Sequence, residues 1–210
     1  MRTVVKSVVI VGSGVGGIYV AAMLAKHGYR VTVVEKNQQA GGRCNFLEKD
    51  GHSFDTGPTL LMMPKIFARA FSDLGEKMED HLNLLHIDPK YHIFFHDGTK
   101  LAICSDQKRL KEQLEAIEPN SYEAFQRYLN EGERFYKLAM PNFIDRDFRG
   151  FFEYFNLRSL FLAFKLKVLV NHYNYVGRFF RETRLKEAFT FRDAYLGLNP
   201  FEAPAMFSML

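Results

Sequence analysis

The chain has 210 residues, of which 47% are hydrophobic and 15% aromatic, and a formal net charge of +4. This composition supports a substantial buried core and excludes an intrinsically disordered protein. The two cysteines, Cys44 and Cys104, are too few for a disulfide framework and lack C-x-x-C spacing, which favours a reducing compartment. Both are predicted to be buried or half-buried thiols.

The first predicted elements are a strand, a glycine-rich turn and a helix, written VVIVGSGVGGIYVAAMLAK from residue 8. The N-terminus runs directly into this strand, which leaves no room for a cleaved signal. The apolar residues 8–11 are typical of a parallel strand covered on both faces. Gly12, Gly14 and Gly17 then form G-x-G-x-x-G, and residues 18–26 favour a helix that ends at Gly28. The start of that helix suits an anionic pyrophosphate.

A second strand is predicted for residues 31–34, and Glu35 ends it, 18 residues after Gly17. A carboxylate at this point accepts hydrogen bonds from the ribose hydroxyls of an adenosine and repels a 2′-phosphate. A βαβ unit that binds nothing is the alternative. The pattern favours a dinucleotide site, with contacts expected from Gly12, Ser13, Gly14, Gly16, Gly17, Glu35 and Lys36.

A second glycine motif, Gly41-Gly42-Arg43, follows Glu35 closely. With the first motif it resembles the start of the flavoprotein superfamily of amine oxidases and carotenoid desaturases. The resemblance implies that the dinucleotide is FAD, with Gly42 near the cofactor and Arg43 near its pyrophosphate. An NAD site and an ordinary exposed turn are the alternatives.

The stretch FDTGPT, residues 54–59, is similar to a motif of the phytoene desaturase branch of that superfamily, and residues 185–210 resemble the bacterial and fungal enzymes. The resemblance implies that Gly57, Pro58 and Thr59 pass beside the flavin ring. The alternative interpretation of residues 54–59 is a plain turn before a helix that begins at Pro64. Members of the family are more than twice this length, so the chain is expected to be an N-terminal fragment.

The middle of the chain predicts a hairpin followed by helices. Residues 91–95 and 100–103 flank Asp97-Gly98, a hairpin signal. Helical spacing begins near Leu110 and resumes after Pro119, with Asn120 as N-cap. The predicted fold is α/β: a Rossmann-type FAD-binding βαβ unit with a mostly helical inserted substrate and membrane region, part of a larger two-domain flavoprotein. The predicted divisions are residues 1–75, 76–118 and 119–210.

Residues 149–192 combine aromatic, aliphatic and basic side chains. They carry nine Lys or Arg and three acids, a net +6, so the rest of the chain sums to −2. Their longest apolar run, residues 160–164, is far shorter than the ~20 residues of a spanning helix. They form either a peripheral membrane surface or a buried helical pair. The phenylalanines expected at the membrane are Phe151, Phe152, Phe155, Phe161, Phe164, Phe179 and Phe180.

The resemblance implies FAD-dependent desaturation of a long-chain isoprenoid such as phytoene, in carotenoid biosynthesis. Because a polyene has no polar handle, the aromatic-rich helices after Asn120 are expected to line an apolar channel. No catalytic residue is assigned. Arg158 is a candidate for a charged group near the substrate, and an exposed interfacial arginine is the alternative.

Other activities of the superfamily are left open, namely amine oxidation, retinoid saturation and polyene isomerisation, as is a non-catalytic binding fragment. The expected location is the cytoplasm, at a membrane surface. A nucleic-acid partner is not supported, because the positive charge is confined to one aromatic-rich segment. His92 and His96 have no third ligand spaced to join them, so no metal site is predicted. The oligomeric state is left open.

Overall fold

The computed structural model describes residues 5–209, which divide into two units, residues 5–85 and residues 86–209. Residues 1–4 and Leu210 lie outside the described residues. The first four belong to the N-terminus for which no cleaved signal is predicted, and Leu210 is the last residue of the segment 185–210 that resembles the bacterial and fungal enzymes. The three-part division predicted from the sequence and the insertion of its helical part into a larger flavoprotein stay predictions.

The first unit begins with a parallel βαβ arrangement, which confirms the predicted α/β character. Strand β1 (Ser7–Val11) leads into helix α1 (Val15–Lys26) and strand β2 (Arg30–Val34). The two strands pair in parallel from Ser7 opposite Arg30 to Val11 opposite Val34. The predicted elements are therefore present, each extended by one to three residues at its N-terminal end.

A short antiparallel hairpin and a helix complete the first unit. Strands β3 (Phe46–Lys49) and β4 (His52–Asp55) are joined at Asp50 and Gly51, which both have positive φ. Helix α2 (Pro64–Leu74) begins at the proline that predicted it, and a 3₁₀ turn (Met78–Asp80) follows. The hairpin was not predicted.

The apolar strands of this unit are not covered on both faces, contrary to the prediction. Val9 and Val11 of β1 are 65% and 87% exposed. Two strands and the helices beside them present too little surface within residues 5–85 to enclose both sides of the sheet. Cys44 is also exposed, because it lies in the loop before β3, whereas Cys104 is buried as predicted.

The second unit is a hairpin followed by helices. Its strands, β5 (Tyr91–Phe94) and β6 (Lys100–Ile103), are antiparallel and confirm the predicted hairpin. Five of its α-helices span at least five residues, and α5 is a single turn. The helices are α3 (Gln107–Ile117), α4 (Ser121–Ala139), α5 (Phe151–Tyr154), α6 (Leu157–Lys165), α7 (His172–Val176) and α8 (Thr183–Thr190). A π-helical turn (Met140–Ile144) extends α4, and 3₁₀ turns cover Phe191–Leu196 and Ala205–Met209.

The boundary between α3 and α4 is capped differently from the prediction. Asn120 occupies the N-cap position of α4 with φ 65°, but its side chain makes no capping hydrogen bond. Instead the Glu115 carboxylate accepts from the backbone N–H groups of Asn120 (2.7 Å) and Tyr122 (2.9 Å). These bonds lower the pKa of Glu115. A side chain from the preceding helix therefore satisfies the first N–H groups of α4.

The core of the second unit is built largely from aromatic side chains. Phe125 and Tyr128 of α4 pack against Phe180 and Phe189, and all four are buried. Phe125 and Tyr128, two of the aromatic residues expected to line a substrate channel after Asn120, are thus core residues. Among residues 5–209, no helix combines the length and apolar character needed to cross a membrane.

Candidate functional site

The glycine turn between β1 and α1 is held tightly against the second strand. Gly12 donates its N–H to the carbonyl oxygen of Val34 at 2.7 Å, which extends the strand pairing by one residue. A Cβ on Gly17 would overlap the carbonyl oxygen of Gly12. Only glycine at position 17 therefore allows the first turn of α1 to pack this closely on the turn.

Glu35 is bonded to the same turn. Its Oε2 accepts from the Ser13 backbone N–H and from the Ser13 hydroxyl, both at 2.8 Å, and its Oε1 accepts from the Asn37 N–H at 3.0 Å. The two backbone bonds and the hydroxyl bond lower the pKa of Glu35 to about 2. The carboxylate is therefore charged throughout the physiological pH range, and Oε1 keeps acceptor capacity for a further donor.

The second glycine motif lies against the first. Gly41 donates its N–H to the carbonyl oxygen of Ser13 at 2.9 Å and forms a parallel bridge with Gly14. A Cβ on Gly42 would stand 3.1 Å from the Cα of Gly14, so the two backbones are in close approach. Two motifs that are distant in sequence therefore form one backbone surface.

The third motif folds back on the second. Thr56 donates from its N–H (2.8 Å) and its hydroxyl (2.9 Å) to the carbonyl oxygen of Asn45. Gly57 lies under the carbonyl of Arg43, where a Cβ would overlap that oxygen. The structure therefore gathers all three motifs into one cluster of loops within residues 5–85.

A dinucleotide fits this cluster. The N–H groups of residues 15–17 open α1 without intrahelical acceptors, at the positive end of the helix dipole. No atom lies within 4 Å of where a Cβ on Gly14 or Gly16 would stand, so an anionic pyrophosphate can approach the backbone there. The predicted residues that come together are Gly12, Ser13, Gly14, Gly16, Gly17, Glu35, Gly42, Arg43 and Gly57. Lys36, Pro58 and Thr59 are exposed beside them, and their contacts with a cofactor stay predictions.

Sequence reasoning missed the contacts that hold the cluster together. The bonds from Ser13 to Glu35 and from Gly41 to Ser13, and those from Thr56 to Asn45, join residues far apart in the chain. Asn45 and Gly41 were not named as site residues. Their nearness to the glycine motif was the available signal, but spacing alone does not say which groups bond.

The second unit contains a buried polar chain that the sequence did not indicate. His172 Nδ1 lies 2.8 Å from Asp193 Oδ2, and His172 Nε2 lies 3.0 Å from the hydroxyl of Tyr128. That hydroxyl also donates to the carbonyl oxygen of Phe189 at 3.2 Å. Burial raises the pKa of Tyr128 to about 12, so the phenol stays protonated. The chain ties α4 and α7 to the 3₁₀ turn that contains Asp193.

Arg158, the candidate for a charged group near the substrate, lies in α6. Its Nη2 donates to Asn142 Oδ1 at 2.8 Å, and the bond is solvent-exposed. This contact links α6 to the π-helical turn after α4. A role for Arg158 toward a substrate stays a prediction.

Comparison with known protein families first indicates the class of domain. A family profile described as an NAD(P)-binding Rossmann-like domain matches residues 10–75. The match begins at the end of β1 and covers α1, β2, both glycine motifs and Gly57. Residues 10–75 are therefore similar to a Rossmann-like domain, which agrees with a dinucleotide as cofactor.

Comparison with curated proteins then shows enzymes to which nearly the whole chain is similar. The chain is 38% identical to a zeta-carotene-forming phytoene desaturase of Myxococcus xanthus and 37% identical to a phytoene desaturase of Phycomyces blakesleeanus, each over 98% of its length. It is 32% identical over 97% of its length to a 4,4′-diapophytoene desaturase (4,4′-diaponeurosporene-forming) of Staphylococcus haemolyticus. It spans 40%, 35% and 40% of these proteins, respectively. Homologues along nearly the whole chain are thus phytoene desaturases, which confirms the predicted resemblance.

Proposed function

We propose that the protein carrying this chain is an FAD-dependent desaturase of a long-chain isoprenoid such as phytoene, acting in carotenoid biosynthesis. The observation that carries the proposal is the extent of the likeness to desaturases. A Rossmann-like unit alone serves many activities. Here the likeness continues through residues 86–209, where no general cofactor motif accounts for it.

The loop geometry supports FAD as the dinucleotide, although the matching family profile is described by NAD(P). The charged Glu35 disfavours a 2′-phosphate and therefore NADP. The packing of Gly42 on Gly14 extends the backbone surface beyond the glycine turn, in keeping with the longer flavin-containing cofactor. The motif that places Gly42 and Arg43 after Glu35 is the one that resembles flavoproteins.

The described residues would bind and orient the cofactor. Bound FAD supplies a hydride acceptor for a carbon that carries no leaving group. The start of α1 would hold the pyrophosphate, while Glu35 Oε1 would accept from the adenosine ribose and Glu35 Oε2 stays engaged with Ser13. Gly57, Pro58 and Thr59 would lie toward the flavin ring.

The protein expressed from its complete coding sequence is expected to purify with FAD and to convert phytoene or 4,4′-diapophytoene into coloured products. The colour follows because each desaturation lengthens the conjugated system. Cofactor released by denaturation and the visible spectrum of extracted products measure the two results. A Glu35→Arg variant should lose most of its flavin, since the arginine loses the bonds to Ser13. Release of a nicotinamide cofactor, or turnover of an amine without any new visible absorption, would contradict the proposal.

We further propose that the protein docks on a membrane through α5 and α6. Five of the seven phenylalanines expected at a membrane are exposed, whereas Phe180 is buried and Phe179 is packed on the core. Leu157 and Leu160 of α6 are exposed beside them. Large apolar side chains exposed together in two consecutive short helices point to an interaction site. The exposed phenylalanines are Phe151, Phe152, Phe155, Phe161 and Phe164.

Complete protein is expected to float with anionic vesicles, and the double substitution Phe152→Ser with Phe164→Ser should reduce the floating fraction strongly. Each phenylalanine that enters the lipid contributes about 2 kcal/mol. Flotation on a density gradient gives the measurement. Phe94→Ser is the matched control, because Phe94 is equally exposed in β5 but lies outside this patch. Equal loss with the control variant would contradict docking through α5 and α6.

A further inference from the structure

A basic cleft of about 580 Å³ lies on the second unit and adjoins the end of α6. Helix α4 lines one wall, and the chain from Lys167 to Arg178 lines the other. Its charged side chains are Arg127, Glu131, Arg134, Lys167 and Arg178, and its aromatic side chains are Tyr175 and Phe179. The cofactor site proposed above uses none of these residues.

Tyr175 is a lining residue of the cleft. Its side chain is almost fully buried, and its hydroxyl donates to Glu131 Oε2 at 2.9 Å. Burial and that bond raise the pKa of Tyr175, so the group remains a neutral donor. The Lys167 Nζ and the Arg178 Cζ stand 5.3 and 5.5 Å from the centre of its ring. The aromatic ring of Tyr175 is therefore close to two cationic groups.

The charges of the cleft do not balance. Glu131 is its one carboxylate, and both oxygens are engaged: Oε2 by Tyr175 and Oε1 by Arg134 Nη1 at 2.9 Å. Four cationic side chains face this single acid, which leaves a net charge of +3. Cations gathered in one cleft repel each other, and an anion with more than one charge would relieve this repulsion.

Lys167 occupies a backbone position that favours glycine. Its φ is 54°, and it follows the last turn of α6, where its N–H donates to the carbonyl oxygen of Phe164 at 3.1 Å. Glycine is the usual residue at such a helix end. A lysine there is strained in its backbone but brings an ammonium group into the cleft.

Exposed apolar side chains lie close to this lysine in the chain. Leu169 is 99% exposed and Phe164 is 81% exposed, two and three residues from Lys167. A ligand with a phosphate in the cleft and a hydrocarbon chain could therefore place that chain against Leu169 and Phe164. Arginine side chains recognise phosphate through paired N–H groups, and three arginines line the cleft.

We infer that this cleft binds the phosphate group of an anionic phospholipid, with the acyl chains toward Leu169 and Phe164. The inference rests on the proposed docking at a membrane and names the lipid group that is recognised there. A free phosphate shares the same chemistry, but it would make no use of the exposed apolar side chains close to Lys167 in the chain.

The test measures binding of dihexanoyl phosphatidic acid, kept below its micelle concentration, to the complete protein by calorimetry. Lys167→Gly should weaken binding about fivefold, the equivalent of about 1 kcal/mol for one basic residue. This variant suits the backbone at position 167, so it should fold at least as well as the parent. Lys165→Ala removes the same charge two residues away, over the Phe161 ring and outside the cleft, and should change binding less than about twofold.

Three other outcomes would count against either the lipid site or the membrane docking on which it rests. Equal losses of affinity from Lys167→Gly and Lys165→Ala would show general electrostatic attraction instead of a specific site, and would overturn the inference. If inorganic phosphate binds as tightly as dihexanoyl phosphatidic acid, the cleft would be a site for a soluble anion, and the inference of a phospholipid ligand would be overturned. Protein that binds the short-chain lipid but never floats with vesicles would instead leave the cleft standing and refute the proposed docking through α5 and α6.

Discussion

Replacing His172 by alanine is expected to lower the free energy of unfolding of residues 86–209 by about 3–5 kcal/mol. The substitution removes the group that bonds to Asp193, whose side chain is 0% exposed, and leaves that carboxylate buried without its partner. It also removes the partner of the Tyr128 hydroxyl. Hydrogen exchange followed by mass spectrometry on the complete protein measures the loss separately for the second unit.

Two further variants show whether burial causes the effect. Tyr128→Phe removes only the hydroxyl that bonds to His172, and Asp193 keeps its bond to the histidine. The free energy of unfolding should therefore fall by less, about 1–3 kcal/mol. His81→Ala breaks a similar contact, since His81 Nε2 lies 3.1 Å from Glu76 Oε2, but those side chains are 48% and 57% exposed. That loss should be about 0–1 kcal/mol. A cost for His172→Ala no larger than for His81→Ala would mean that the buried chain does not support the fold.

The elements of the first unit could be predicted because their signals are local. Apolar β-branched runs, spaced glycines and a strand-ending acid each act within a few residues, and β1, α1 and β2 are found where these signals lie. The hairpin β3–β4 was missed although Asp50-Gly51 is a turn signal of the same kind as Asp97-Gly98. The FDTGPT motif overlaps the end of β4, and its glycine and proline indicate a turn where the second strand of the hairpin ends.

Contacts across the chain could not be predicted in the same way. His172 meets Asp193 across 21 residues and Tyr128 across 44, and no periodicity connects them. Nor does composition separate Phe164 from Phe180: both stand in one aromatic and basic segment, yet the first is exposed and the second is buried. The difference arises from packing against α4 and α8, which only the tertiary structure contains.

Replacing Gly17 by alanine is expected to reduce the amount of FAD that copurifies with the complete protein by about tenfold or more. The added Cβ would overlap the carbonyl oxygen of Gly12, and both groups belong to the backbone, so neither can rotate away. The start of α1 must then move off the glycine turn. Overpacking of this kind costs about 1–3 kcal/mol, and a loss of about 1.4 kcal/mol in binding corresponds to tenfold. Flavin absorbance per protein measures the result.

Gly16→Ala is the matched control for the fold, because the same Cβ at position 16 would meet no atom within 4 Å. Alanine is the better helix former by about 1 kcal/mol, so this variant should keep or raise the stability of residues 5–85. Gly17→Ala should lower that stability as well as flavin content, since the bonds that Ser13 donates to Glu35 and accepts from Gly41 depend on the same turn. If Gly17→Ala retained both its flavin and its exchange protection, α1 would not need to pack against Gly12, and the cofactor would have to be held elsewhere.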